Sequence, residues 1–235
     1  MENHKIVTPA EWRAAREDLL LEEKAFNTVR DALSAKRRAL PWVRVEKPYV
    51  FDGPQSPETL AALFAGRSQL ILQHLMFPPE WENACKSCSF WADQHDAAIP
   101  HLNARDVTLA AVSRSSIDKL TAFAARMGWK FHWVSSLNSD FNYDFHVSFT
   151  PEELAAGPVD YNYRALKTSM TDLPGYSVFY KDPSGAIFHT WSCYARGLDM
   201  LNGAYHFLDI APKGRDEEGL PHKMAWVRYH DRYDV

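Results

Sequence analysis

Cysteine is scarce: the chain has three in 235 residues. A disulfide framework cannot therefore be what holds it together. Long apolar runs are missing too. No stretch approaches the roughly 18 uninterrupted apolar residues of a membrane span, so no membrane partner is expected. Nor is there a basic excess. Lys and Arg number 26 against 30 Asp and Glu, and the net charge of −4 gives no electrostatic case for nucleic acid. Repeats and low-complexity tracts are absent. The opening residues, Met1 to Lys5, lack the apolar core of a signal peptide, so a cytoplasmic, reducing location is expected. What is plentiful is apolar and aromatic surface. Apolar residues make up 46%, with eight Trp, ten Tyr and thirteen Phe. That is enough for one large domain with a substantial core.

Two of the three cysteines stand close together, as Cys85-Lys86-Ser87-Cys88. The apolar run Leu70 to Met76 before them reads as a buried strand. Helical character follows from about Ala84 to about His101, and then a second apolar strand, Val107 to Ser113. A Cys-x-x-Cys where a strand hands over to a helix, inside a β-α-β pattern, reads as a redox motif. The thiolate is the nucleophile, and a cysteine in a first helical turn meets unpaired N–H groups that favour the anion. Cys85 is thereby the expected attacking thiol and Cys88, one turn later, the resolving thiol. Lys86 adds a positive charge nearby and Ser87 a weak donor. His74, on the preceding strand, is a candidate base because its ordinary pKa suits proton transfer near neutrality. Two blander readings stand beside this one. The pair could be inert thiols, or half of a zinc site, although a structural zinc wants four ligands and no second close pair exists. Cys193 is a small core residue or a third redox partner.

Read in order, the chain opens with a helix start at Thr8-Pro9-Ala10-Glu11 and a long amphipathic helix to about Ala39. A helix of that length packs along its own domain or on a second copy, so a homodimer is one expected assembly. Pro41 stops it. Trp42 to Val45 and Tyr49 to Phe51 alternate like short strands, and Ser56-Pro57-Glu58-Thr59 predicts a second helix. After the cysteine segment, Ser115-Ser116 starts a helix that Gly128 ends, and Phe131 to Ser135 is a third core strand. From Asn138 to about Ala165 the pattern reads mostly as loop, pinned by Phe141, Tyr143 and Phe145. Tyr176 to Trp191 forms a hairpin around Asp182-Pro183-Ser184-Gly185, followed by a helix from about Leu198 to Leu208. Residues 214–234 are expected to lie as a tail on the surface or on a partner.

A strand, a Cys-x-x-Cys helix, further βα units and a closing hairpin and helix resemble the thioredoxin-like proteins over residues 70–208. Four longer motifs narrow the resemblance. They are Cys85 to Asp93, Pro100 to Asp106, Ser139 to Phe145 and Tyr194 to Asp199. They are similar to a bacterial family known as domain of unknown function 899, to which dithiol-disulphide oxidoreductase activity is ascribed. The resemblance implies an α/β thioredoxin-like fold with a central mixed sheet flanked by helices. Residues 1–41 would form a helical extension, 42–212 the thioredoxin-like domain and 213–235 the tail. It implies thiol–disulfide exchange with a disulfide-containing protein or a small thiol, without cofactor or metal. A non-catalytic scaffold of the same fold is the alternative. Thioredoxins place Trp just before the first cysteine; here Ala84 stands there and Trp81 is the near substitute. They set a cis-proline before the hairpin, where Pro174 and the position near Tyr176 are the docking candidates. They carry a buried acid on the first strand, where this chain has Gln73 and His74. The Pro-x-x-x-Thr/Ser-x-x-Cys pattern of peroxide-reducing relatives is broken by Glu82, three residues before Cys85.

Overall fold

Pro at the first helical position, a Thr cap and a Glu three residues on fix where the first helix starts. In the computed structural model, which describes residues 4–234, helix α1 runs Pro9–Arg38. The Glu11 carboxylate accepts the Thr8 N–H at 2.9 Å, and the Thr8 hydroxyl accepts the Glu11 N–H at 3.3 Å. Lys36, Arg37 and Arg38 crowd the last turn, where the helix dipole favours cations. The chain divides at Pro41 into this helical unit and a second unit that begins at Trp42 and includes the C-terminal segment.

The second unit is built on a mixed sheet. Its strands are β1 (Val43–Arg44), β2 (Val50–Asp52), β3 (Pro57–Thr59), β4 (Gln69–His74), β5 (Val107–Ser113), β6 (His132–Ser135), β9 (Gly175–Lys181) and β10 (Ile187–Tyr194). Their order across the sheet is β1-β10-β9-β4-β5-β6-β2-β3. Strands β4, β5 and β6 are parallel neighbours, joined through α2 (Lys86–Ala92), α3 (His95–Asn103) and α4 (Ile117–Met127). Strand β9 runs antiparallel to β4 and pairs with β10 through the Asp182–Gly185 turn. A βαβαβ unit closed by an antiparallel hairpin, with helices against the sheet, is the thioredoxin-like arrangement.

Three segments differ from what the sequence pattern predicts. Ser56 to Thr59 does not open a helix. Pro57–Thr59 folds back on Val50–Asp52 as an antiparallel strand, and only the turn Ala62–Phe64 is helical. The tight Asp52-Gly53-Pro54 turn brings the two strands together, and Leu60, Leu63 and Phe64 then drop into the core at 3% exposure or less. The cysteine helix is two helices, broken at Asp93 and Gln94. The Asn138 to Ala165 stretch holds α5 (Phe141–Asp144), α6 (Pro151–Ala156) and a small hairpin of β7 (Val159–Tyr161) and β8 (Arg164–Leu166). Phe141 is fully buried, so its aromatics do anchor it. The last helix is α7 (Gly203–Asp209), preceded by a 3-10 segment, Ala195–Leu201.

Strand β4 decides what faces the cysteines. Side chains alternate along a strand. Leu70 and Leu72 point into a cluster with Phe51, Phe141 and Phe179. His74 shares that parity, and its ring stacks on Phe141 and Phe145. Ile71 and Gln73 face the other way, towards α2 and α3. No helix of the described residues is long and apolar enough to cross a membrane.

Candidate active site at the dithiol

Cys85 is the residue that caps α2. Its N–H donates to the Met76 carbonyl at 2.9 Å, which ties the helix entry to the chain just beyond β4. Its own carbonyl accepts both the Ser89 N–H and the Ser89 hydroxyl, each at 2.9 Å. Both cysteines are free thiols; Cys85 is half-buried and Cys88 is buried. The neighbouring Cys88 thiol does most to favour the thiolate at Cys85, followed by the backbone of Cys88 and of Ser87 and the Ser87 hydroxyl. Against the opposing cost of burial they bring the Cys85 thiol down to about 7. Cys88 moves the other way. The Cys85 thiolate it donates to, and its own burial, hold its thiol well above the ordinary range. Near neutral pH the Cys85 thiol is therefore about half thiolate, while Cys88 keeps its proton.

A cavity of about 360 Å³ opens onto both sulfurs. Met76, Trp91, Pro174, Leu198 and Met224 give it apolar walls, and Arg196 and Asp199 supply charge. Beneath the dithiol, Gln73 donates from Nε2 to the Cys88 carbonyl at 3.1 Å, while its Oε1 is buried without a partner. Gln73 is the polar group on the helix side of β4.

His74 is not. His74 is among the residues lining the dithiol cavity, but strand alternation turns its ring away from the cysteine helix, which argues against its reading as base. Its ring lies on the face of the sheet opposite Gln73, and Nε2 sits 2.8 Å from the Ser177 hydroxyl. That hydroxyl continues at 2.8 Å to Ser192, and Ser192 at 2.7 Å to His189. Burial pushes His74 down to about 3, so it stays neutral and cannot hold a proton taken from a thiol.

The other predicted residues separate. Lys86 is half-buried beside Cys85, but it is not among the larger causes of the depressed thiol. Trp81 packs at the edge of the cluster formed by Leu75, Phe77 and Phe123, and its carbonyl accepts from Lys119 at 3.1 Å. It does not line the cavity at the sulfurs. Tyr176 pairs across the sheet with Gln73, but its hydroxyl lies 2.9 Å from His95 Nε2 in a second cavity, formed with α3. Pro174 does line the dithiol cavity. No described peptide bond is cis, so Pro174 stands there as a trans proline. Leu173 N–H is committed to the Val147 carbonyl at 2.8 Å, and the Pro174 carbonyl accepts from Tyr161 at 2.7 Å.

Two further groups had no signal in the sequence. Asp172 is buried, bonded to Arg114 Nε at 2.6 Å and to Ser148 Oγ at 2.7 Å, and its charge helps keep the Cys88 proton in place. The Tyr229 hydroxyl donates to the Ala84 carbonyl at 2.7 Å, which puts the C-terminal segment directly beside Cys85. Among the described residues no three His, Cys, Asp or Glu side chains gather as a metal site would require.

The model of a bacterial family of proteins of unknown function, DUF899, matches residues 1–233. The chain belongs to that family. No curated protein matches this DUF899 chain. Solved structures similar to it include a cysteine-to-serine variant of peroxiredoxin Q from Xanthomonas campestris. It is 15% identical, with a TM-score of 0.45, over 68% of this chain and 90% of that one. Peroxidoxin BcpB from Mycobacterium tuberculosis is 10% identical, with a TM-score of 0.48, over 70% and 94%. The mitochondrial 2-Cys peroxiredoxin from Plasmodium falciparum is 14% identical, with a TM-score of 0.40, over 73% and 92%. At that level of similarity they add nothing to the fold read from the strand order, and nothing about chemistry.

Proposed function

We propose that this DUF899 chain is a thiol–disulfide oxidoreductase. The observation that carries the reading is the placement of half-buried Cys85 at the start of α2 with buried Cys88 one turn on, both lining one cavity; the Cys88 thiol beside it, foremost, brings the Cys85 thiol to about 7. A thiol with a pKa near ambient pH is the best compromise between thiolate fraction and nucleophilicity.

The step is a two-stage displacement. The Cys85 thiolate attacks one sulfur of a disulfide R–S–S–R. A new Cys85–S–R bond forms, the old S–S bond breaks, and RS⁻ leaves and takes a proton from water. Once Cys85 is no longer an anion, the group that held the Cys88 proton most strongly is gone. Cys88 gives that proton to solvent, attacks Cys85 Sγ and expels the second RS⁻. The protein is oxidised by two electrons to the Cys85–Cys88 disulfide, and R–S–S–R is reduced to two thiols. An external thiol reverses the protein half-reaction.

The test is trapping. Reduced Cys88→Ala protein mixed with hydroxyethyl disulfide accumulates a mixed disulfide on Cys85, seen by mass spectrometry, while Cys85→Ser protein accumulates none. A Cys85 alkylation midpoint at or above about 8.5, with no mixed disulfide, would leave a scaffold with an inert dithiol as the surviving reading.

A further inference from the structure

We infer that the segment 217–231 holds Met224 as a fixed wall of the dithiol cavity and so restricts the exchange partner to low-molecular-weight disulfides. The inference rests on the exchange reading above and names its substrate class.

The segment is folded. Glu217 Oε1 accepts from Tyr205 Oη at 3.0 Å, from Met224 N–H at 3.0 Å and from Trp226 Nε1 at 2.8 Å, so one carboxylate closes the loop on itself. Trp226 then packs edge-on against Phe90 of α2, and Val227 is fully buried. Where the segment reaches Cys85 it is held from several directions. Tyr229 clamps the Ala84 carbonyl at 2.7 Å. Arg126 grips both Asp231 oxygens at 2.9 Å, donates to Asn83 Oδ1 at 2.8 Å and lies over the Tyr229 ring. His230 Nδ1 is 2.7 Å from Asp93 Oδ1 beyond the far end of α2. Arg126 thus ties the segment and the loop before Cys85 into one piece, and Met224 is left as part of the cavity lining.

The wall sets the size of what reaches sulfur. At about 360 Å³ the space lies at the lower end of small-molecule sites, which run from roughly 300 to 1,000 Å³. A disulfide within a polypeptide brings its flanking backbone with it, and that needs an open groove where Met224 and Leu198 stand. The apolar lining suits short aliphatic substituents, and Arg196 suits a carboxylate on one of them.

The experiment is single-turnover oxidation of the reduced full chain, read by alkylation and mass spectrometry, with hydroxyethyl disulfide and insulin as probes. For the native chain, the small disulfide is expected to react at least about 100-fold faster per disulfide than insulin. Arg126→Ala/Tyr229→Phe, which releases the segment, raises the insulin rate at least about tenfold. Met224→Ala keeps every anchor, so it serves if the double variant fails to fold. It moves the ratio in the same direction by about threefold or more. Insulin reacting as fast as the small disulfide in the native chain overturns the wall and leaves exchange standing. So does a ratio that neither variant moves. Reaction with neither probe overturns the exchange reading, and the inference with it.

Discussion

The hydroxyl of Tyr229 donates a 2.7 Å hydrogen bond to the carbonyl of Ala84, the residue immediately before Cys85. A position 145 residues further along the chain therefore fixes the backbone from which the Cys85 sulfur projects. The site is defined as much by the C-terminal segment as by the Cys-x-x-Cys.

The Cys85 thiol should titrate near neutrality. Iodoacetamide labelling of the native chain is expected to show a midpoint at about pH 7, with the rate falling below it as the thiolate is protonated. Cys88→Ala removes the strongest donor and moves the midpoint upward, towards the free-thiol value of about 8.5. A midpoint that stays put in Cys88→Ala would show that the backbone of residue 88 and the Ser87 groups suffice without the second thiol.

Acid should destabilise the fold through two buried histidines. Burial lowers His74 to about 3 and His95 to about 4, both below their unfolded values. From the unfolded pKa of about 6.5 downward, the unfolded chain binds protons that the native chain does not, so stability falls as pH falls. At pH 5 the loss is about 2 kcal/mol per histidine relative to pH 7.5. Urea denaturation at the two pH values measures it, and His74→Asn should remove His74's share of the slope.

Arg114→Ala should cost more than an ordinary surface change. It leaves the Asp172 carboxylate buried beside Ser148 with its charge uncompensated. Breaking one partner of such a pair costs about 3–5 kcal/mol. Adding Asp172→Asn to Arg114→Ala is expected to recover a good part of that loss in thermal or urea denaturation.

Glu217→Ala should loosen the C-terminal segment. Three donors, from Tyr205, Met224 and Trp226, lose their shared acceptor. The expected cost is about 1–3 kcal/mol, with a change in tryptophan fluorescence and faster proteolysis after residue 217.

Much of the fold was legible because it is written in short-range patterns. Val107–Ser113 is a mostly apolar run between turn signals, and it is strand β5 over that span. Gly128 ends α4 in a left-handed conformation with φ of 67°, which a glycine adopts without strain. Thr8-Pro9-Ala10-Glu11 carries its own capping hydrogen bonds. The same Pro and acid chemistry at Ser56 to Thr59 misleads, because pairing with Val50–Asp52 outweighs a helix start of only one turn. The misreading of His74 was avoidable in principle: once Gln73 faces the cysteine helix, its neighbour on the strand must face away. The cavity wall was not avoidable. Nothing local to Met224 or Tyr229 says that they meet residues near position 85, and Asp172 finds Arg114 only through the tertiary fold.

The register of β4 against β9, with Gln69 opposite Tyr180, has a consequence for biosynthesis. At ribosomal speeds of roughly 5–20 residues per second, that partner emerges several seconds after β4 itself. For that interval the nascent sheet has an unpaired edge, and Met224, which lines the cavity at both cysteines, is made later still. Newly made chain is therefore when this dithiol is most open to adventitious oxidation, and a reducing milieu matters to it most before synthesis ends.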